Sequence, residues 1–223
     1  MKAREIYKRY LLKINKNDSN EGVNILPSAF VLMFNTEQTR WLGEKLTHDS
    51  DNIKIDHLDG LFISDYEIKQ VNKGTDWIEF SLPSNIYRHA YSFALVSKGN
   101  CSNIPFYYFE KKPLGFSVFI NDDSNKAHFD YEEGPMVITQ GKVKAYIDDF
   151  TIDKFLISYY RIPPAIDISG YIHIDGTSST DIDSPLADDN IDEILNRLAV
   201  EAFREFSDTD GVTLGKDRIA TEP

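Results

Sequence analysis

The feature that most constrains this chain is the stretch from Ile152 to Phe206, a strand-forming run followed by one long amphipathic helix. Ile152–Arg161 (IDKFLISYYR) is rich in β-branched and aromatic residues, which suit a pleated, half-buried surface. Ile162-Pro163-Pro164 ends the run, because proline cannot donate to a strand ladder and pushes its predecessor out of the helical region. Ser184-Pro185 then predicts a helix start, with serine as the cap and proline in the first helical position. From Pro185 to Ser207, Ile191, Ile194, Leu195, Leu198, Ala202, Phe203 and Phe206 recur at three- and four-residue steps and share one face. Asp188, Asp189 and Asp192 crowd the start, where the helix dipole favours negative charge. Such a helix is roughly 33 Å long at ~1.5 Å per residue. Burying each of its large apolar side chains is worth about 1.5–3 kcal/mol, so the stripe needs a partner surface.

Two further helices are predicted near the N-terminus. The first spans Lys2–Ile14, with Ala3, Ile6, Tyr7, Tyr10, Leu11 and Ile14 as its stripe; the second runs from Pro27 to Leu46 and carries Phe30, Val31, Met33, Phe34 and Trp41. Ile53–Tyr66 is ambiguous, with a short helix around Leu58, Leu61 and Phe62 as one reading. From Ile68 the texture changes to short strands: Asp76–Leu82, Ala90–Ser97, Ile104–Glu110, Phe116–Ile120, Met136–Gln140 and Lys142–Ile147, each ended by Pro, Gly or Asn/Asp. The expected architecture is α+β, with N- and C-terminal helices packed together and an antiparallel β-rich sheet or small sandwich inserted between them. As one domain of 223 residues it divides into a helical layer (2–66 plus 185–207), a β-rich insert (68–168) and a C-terminal arm (209–223).

Charge narrows the function classes. The net charge is −12, which argues against non-specific nucleic-acid binding. Residues 1–16 carry six basic groups against Glu5, whereas residues 171–211 carry eleven carboxylates against Arg197 and Arg204. Either each run is a solvated face, or the two ends meet, within the chain or across a subunit contact. One cysteine, Cys101, leaves no internal disulfide and suits a reducing compartment. The longest apolar run, Ala29–Phe34, is far short of a ~20-residue membrane span, and Met1–Ile6 lacks a signal-peptide core. A soluble, non-exported protein is expected.

Catalytic signals are weak. His48, His57, His89, His128 and His173 lack metal-ligand spacing, Cys101 has no CxxC partner, and Gly170–Gly176 lacks the phosphate-loop spacings. Asp148, Asp149 and Asp153 suit either paired acid–base chemistry or a solvated turn. Asp181, Asp183, Asp188 and Asp189 offer oxygen ligands to Ca²⁺ without the EF-hand order, and Asn121–Asn125 reads as a hairpin turn. No cofactor or metal is called for. Tyr7, Tyr10, Phe106–Phe109, Tyr159 and Tyr160 suit either a stacking surface for sugars or bases, or core and interface packing.

Taken in order, Phe80-Ser-Leu-Pro83, Tyr146–Asp153, Tyr159-Tyr-Arg-Ile-Pro163, Ile166–Tyr171 and the Ser184–Phe206 helix resemble neck ring proteins of tailed bacteriophages, most closely those of the crAss-like phages of gut Bacteroides. Phe30–Asn35 with Gln38 and Arg40 is similar to the same group, so the resemblance covers most of the chain. It implies a non-enzymatic virion protein, assembled in the host cytoplasm into a homo-oligomeric, twelvefold head–tail adaptor ring. Such a ring sits beneath the portal, continues the DNA channel without binding DNA specifically, and docks further neck or tail proteins; no membrane is involved. In that setting Tyr159, Arg161, Arg197, Arg204, Lys216, Arg218 and Ile219 are expected at subunit or partner interfaces. Asp188, Asp189, Asp192 and Glu193 are expected to face the channel, where an acidic lining repels phosphates. The alternatives are a carbohydrate- or ligand-binding β module and, third, a carboxylate-based hydrolase.

Overall fold

The structure, a computed structural model, describes residues 1–15, 25–48, 58 and 60–205. It is α+β, and the chain divides into two compact units: Met1–Leu61 with Pro163–Pro223, and Phe62–Ile162.

The first unit holds α1 (Ala3–Ile14), α2 (Pro27–His48) and α4 (Asp188–Glu205). Most of each predicted stripe is buried: Ala3, Ile6, Tyr10 and Ile14; Phe30, Val31, Phe34 and Trp41, joined by Leu42 and Leu46; Ile191, Ile194, Leu195, Leu198, Ala202 and Phe203; Tyr7, Leu11 and Met33 are half-buried. Tyr7 and Tyr10 both lie 5.2 Å from Phe30, ring centre to ring centre. Phe206 and the expected arm, 209–223, lie outside the described residues. The last helix starts at Asp188, three residues later than Ser184-Pro185 suggests. Ser184 is otherwise engaged: its hydroxyl accepts from the Leu186 N–H at 3.3 Å and its own N–H donates to the Met1 carbonyl at 3.1 Å. That makes a local serine turn in place of a helix cap.

The connection before α4 carries no regular element, yet it is pinned. Asn35 grips Ile166 through both amide atoms, donating to its carbonyl at 3.0 Å and accepting from its N–H at 2.9 Å. Further along, the buried Asp167 carboxylate accepts from the Tyr171 hydroxyl (2.6 Å), the Thr180 N–H (2.8 Å) and the Ile168 N–H (2.9 Å), with His173 Nε2 at 3.2 Å. Residues 163–168, expected in the β insert, thus belong to the helical unit.

The second unit is one eight-stranded sheet: β1 (Phe62–Glu67), β2 (Gln70–Lys73), β3 (Trp77–Ser81), β4 (Ile86–Lys98), β5 (Cys101–Glu110), β6 (Glu133–Thr139), β7 (Lys142–Tyr146) and β8 (Thr151–Arg161), in the order β1-β8-β4-β5-β6-β7-β3-β2. Residues 62–66, placed by sequence in the helical layer, are a strand. They matter, because β1 and β2 are one strand bent at Ile68-Lys69. There the Ile68 N–H donates to Phe155 of β8 and the Lys69 carbonyl accepts from Ser81 of β3, each at 3.0 Å. A single bent strand therefore serves both edges and curls the sheet closed. Inside, Phe80 of β3 stacks on Phe155 of β8 at 4.6 Å, joining opposite ends of the strand order, while Tyr108 lies 5.1 Å from Phe155 and Phe106 lies 4.7 Å from Phe150.

Of the two forms expected, a single sheet is the one found, and one expectation fails. The sheet is not wholly antiparallel, because β5 and β6 run parallel from Tyr107↔Glu133 to Glu110↔Met136. A parallel pair needs a crossover of a dozen or more residues, and residues 111–132 supply it. The crossover contains α3 (Phe116–Phe119) where Phe116–Ile120 is predicted as a strand. Gly115, at φ 79°, turns the chain into that helix, and Phe116 and Phe119 three residues apart pack at 5.9 Å, so side-chain packing overrides β propensity. Gly134 allows the crossover to lie close, since a Cβ there would come within 2.9 Å of that of Ala127.

Candidate functional site

In the helical unit the charges gather between α2 and α4. Glu37 sits on the α2 face shared with Phe30, Phe34 and Trp41, its side chain only 4% exposed. Its carboxylate lies 3.4 Å from the Arg40 guanidinium and 3.6 Å from that of Arg197. Arg197 also meets Glu44 at 2.5 Å and, one turn back, Glu193 at 2.9 Å. Lys45 reaches Glu193 at 3.0 Å and Arg40 reaches Glu201 at 3.1 Å. Burial pushes the Glu37 carboxyl above its ordinary range, and the neighbouring arginines offset this only in part. At Glu193 burial also pushes upward. There the Trp41 indole, reaching the carboxylate at poor hydrogen-bond geometry, together with Lys45 and Arg197, outweighs it and holds the group low.

The opposite-sign ends meet within the chain. Arg9 lies 3.5 Å from Asp188 and 3.9 Å from Asp192, Lys13 lies 3.4 Å from Asp192, and Arg4 lies 3.3 Å from Asp181. The Met1 ammonium donates to the Ser184 carbonyl at 2.9 Å and the Ala3 N–H to Asp183 at 3.0 Å.

These contacts redistribute the expected sites. Asp188, Asp192 and Glu193, expected to face a channel, are matched by cations of their own unit, while Asp189 is exposed at the first turn. Arg197, expected at an interface, is spent on the α2–α4 carboxylates, and Arg204 is exposed at the end of α4. Tyr159 is 3% exposed, packed against Tyr66 and hydrogen-bonded to Asn85, so it offers a partner almost no surface; Arg161 is half-buried. Lys216, Arg218 and Ile219 lie outside the described residues. Of the carboxylates weighed as Ca²⁺ ligands, Asp183 and Asp188 are engaged by Ala3 and Arg9, Asp181 by Arg4 and the Ser169 N–H, and Asp189 is exposed. Among the described residues no group of His, Cys, Asp and Glu is arranged to hold a metal ion, and no helix is long and apolar enough to cross a membrane.

In the β unit a groove of about 520 Å³ runs over the outer face of β3, β6 and β7 beside α3, lined by Trp77, Phe116, Ile120, Val137, Lys144 and Tyr146 among others. It shares Asp76 and Tyr146 with a neighbouring cavity of about 370 Å³ that also contains Asp148 and Lys126. The aromatic rings of the groove already have partners. The Lys144 ammonium sits 4.2 Å above Trp77 and 5.4 Å from Tyr146, and Tyr146 packs on Phe116 at 4.9 Å. A sugar stacking there must first displace the lysine. The proposed carboxylate group is dispersed as well: Asp149 pairs with Lys98 at 2.6 Å and Asp153 accepts from Ser97 at 2.5 Å, so Asp148 alone of the three lines a cavity.

One arrangement went unanticipated. His89 reaches Glu110 through Nδ1 at 3.2 Å and Ser92 Oγ through Nε2 at 2.7 Å, the connectivity of a hydrolase relay. Ser92, however, is 2% exposed and follows the same strand phase as the core residues Ala94 and Val96. Its hydroxyl faces the core, so the relay serves to satisfy a buried serine. The sequence signal was His89 and Ser92 three apart on a strand, which ordinary alternation places on opposite faces. A register shift between His89 and Tyr91 brings them together. No protein-family model matches the chain, and no curated protein matches it.

Proposed function

We propose that this chain is a structural, non-enzymatic subunit that assembles with copies of itself into a ring, as the resemblance to phage neck proteins implies. In this reading the ring lies beneath a portal, passes DNA and docks tail-side proteins. The terminal helices pack together as the framework, and the β unit is inserted between them in sequence.

The observation that carries the reading is the amount of large apolar surface left in water. Leu26 and Leu32 on or beside α2 are 64% and 70% exposed, Leu114 and Val118 beside or on α3 are 95% and 76% exposed, and Ile174 is wholly exposed. Single apolar residues are ordinary on a monomer; in this reading these belong to surfaces that associate. The net charge of −12 supports passage of DNA without adhesion. Because Asp188, Asp192 and Glu193 are neutralised locally, that property rests on the total charge rather than on a bare acidic helix.

Light scattering over a concentration series, with negative-stain imaging of the chain alone and mixed with a portal, tests the proposal. Closed rings, alone or on the portal, are the expected outcome. A particle that stays single in both settings overturns it. Glycan binding by such a single particle would favour the ligand module, and turnover abolished by Asp148→Asn would favour the hydrolase.

A further inference from the structure

The two cavities of the β unit differ in what they leave free. In the larger groove the Lys144 ammonium already covers Trp77 and Tyr146. The smaller cavity, of about 370 Å³, lies where the β3–β7 ladder ends against the crossover, and Lys144 does not line it. Its volume falls within the range of ~300–1,000 Å³ typical of ligand clefts. Trp77 pairs with Tyr146 and the Ile147 N–H donates to the Asp76 carbonyl at 2.9 Å, so Asp76 and Asp148 flank the last rung of the ladder. Ile120 and Asn121 come from the turn after α3, and Lys126 and Ala127 from the return toward β6.

The acceptors that line this cavity are free, whereas its cation is not. Among the described residues neither the Asp76 nor the Asp148 carboxylate makes a hydrogen bond or an ion pair, and the Asn121 amide and Tyr146 hydroxyl have no hydrogen-bond partner. Asp148 lies in the field of Lys98 and Lys126, but each of those is paired with another carboxylate, Asp149 at 2.6 Å and Asp123 at 2.5 Å. The remaining walls, Ile120, Ala127 and Ile147, are apolar. The frame is also set in advance. The Tyr108 hydroxyl donates to the Tyr146 carbonyl at 3.0 Å, Phe116 packs on the Tyr146 ring at 4.9 Å, and the Asn125 amide ties the turn to the Phe119 carbonyl at 3.0 Å. A site fixed beforehand loses little conformational freedom on binding.

We infer that this cavity binds an organic ammonium ion, with its charged head shared by Asp76 and Asp148 and its alkyl part against Ile120, Ala127 and Ile147. The free groups select the class. Two carboxylates offer acceptors only, and they match an ammonium, which offers donors only. An anion would meet both carboxylates unpaired, and a sugar would find the Tyr146 ring taken by Phe116 and Lys144. The site goes beyond the assembly proposed above and does not depend on it.

Isothermal calorimetry of the full-length chain with putrescine, a short diamine, at physiological ionic strength tests the inference. A saturable isotherm is expected, with no measurable heat from the uncharged diol of the same carbon chain. Asp76→Asn and Asp148→Asn are each expected to weaken binding about tenfold or more, the loss of one charge-assisted hydrogen bond. Both residues are exposed, so the fold should persist, and circular dichroism checks it. Asp189→Asn, which removes the same charge from the exposed first turn of α4, should leave the affinity unchanged. That control matters because a chain of net charge −12 attracts cations everywhere on its surface. Heat that never saturates, or binding that Asp76→Asn and Asp148→Asn weaken no more than Asp189→Asn does, overturns the site as general counterion attraction. Binding of the diol as tight as that of the diamine overturns the ammonium as its ligand. Each of these failures leaves the ring reading standing.

Discussion

The two units of this chain bury comparable hydrophobic stripes but are held by different forces. The β unit has an aromatic interior, where Phe80, Phe106, Tyr108, Phe150 and Phe155 form a chain of ring contacts and the closing strand β1–β2 leaves no long open edge. The helical unit adds a network of partly buried charge, with Glu37, Glu44, Glu193 and Glu201 arranged around Arg40, Lys45 and Arg197. Dispersion and burial depend little on pH and salt, whereas ion pairs depend on both. One fold thus contains a module held chiefly by ring packing and one held also by a partly buried charge network. The chain also supplies a probe for each, since its two tryptophans are Trp41 in α2 and Trp77 in β3. Trp77→Phe leaves fluorescence reporting the helical unit, and Trp41→Phe leaves it reporting the β unit.

The largest expected effect breaks the aromatic interior. Phe155→Ala removes a ring that contacts Phe80 and Tyr108 and should destabilise the β unit by about 3–5 kcal/mol, as for other buried aromatics. Denaturant unfolding followed through Trp77 checks it; a loss below about 1 kcal/mol would mean that the interior is loosely packed. Next comes Arg197→Ala, which leaves Glu37 to Arg40 and Glu193 to Lys45. Removing one partner from a fully buried pair costs about 3–5 kcal/mol, but Arg197 is 18% exposed and Glu44 45%, so about 2–3 kcal/mol is expected, read through Trp41. Glu37→Gln should cost less than Arg197→Ala, because burial already disfavours the ionised form of Glu37. If the order is reversed, the network is held by Glu37 rather than by the arginine.

How much of this was readable beforehand follows the same division. The helical stripes were legible because a 3.6-residue period survives whatever packs against it, and Ile191, Ile194, Leu195 and Leu198 are all buried as placed. The closing strand was not: β1 and β2 are largely exposed and carry no alternation, and Asp65 at φ 53° interrupts the register of β1. Tyr159 and Tyr160 do fall on opposite faces, yet both are buried: Tyr159 belongs to the interior cluster, while Tyr160 packs on Phe62 of the strand nobody could see. In the candidate site, opposite-sign ends were a sound guide to Arg9, Lys13, Asp188 and Asp192. They gave no hint that Glu37, embedded in an apolar face, would organise the α2–α4 charges, because burial of a glutamate depends on arginines 3 and 160 positions away. Lys144 was hidden for a similar reason: its place over Trp77 comes from the pairing of β3 with β7.

Acid should separate the units in order. Burial holds the His89 imidazole below its ordinary 6.5, with Glu110 pulling the other way. The unfolded chain therefore takes up this proton first, so the stability contributed here is whole above pH 6.5 and declines as pH falls from 6.5 toward the folded-state value. In the helical unit the Arg197 hydrogen bond holds Glu44 below its ordinary 4.5, and Glu193 is held below it despite burial. Their contribution is whole above pH 4.5 and is lost as pH falls further, while Glu37, shifted upward, offsets part of the loss. The unfolding midpoint seen by Trp77 should therefore begin to fall between pH 7 and 5.5, where that seen by Trp41 holds until below about 4.5. His89→Gln should flatten the first change only. Midpoints that move together at every pH would show the units unfolding as one.

The smallest effect gives the sharpest comparison within the helical unit itself, between its inner and outer charges. Asp192 is 40% exposed and faces Arg9 and Lys13, of which Arg9 also has Glu5 and Asp188 within reach. Exposed pairs of this kind contribute about 0.2–1 kcal/mol, because water screens them and long side chains lose freedom in making them. Asp192→Asn should therefore cost under about 1 kcal/mol at low salt, and the cost should vanish near 1 M salt, where the screening length is roughly 3 Å. Arg197→Ala, measured alongside, should keep most of its larger penalty under the same salt, since its carboxylates lie at 2.5 and 2.9 Å in a site that ions enter poorly. If salt erased both penalties equally, the α2–α4 network would be solvated like the α1–α4 pairs, and no distinction between inner and outer charges would hold within the helical unit.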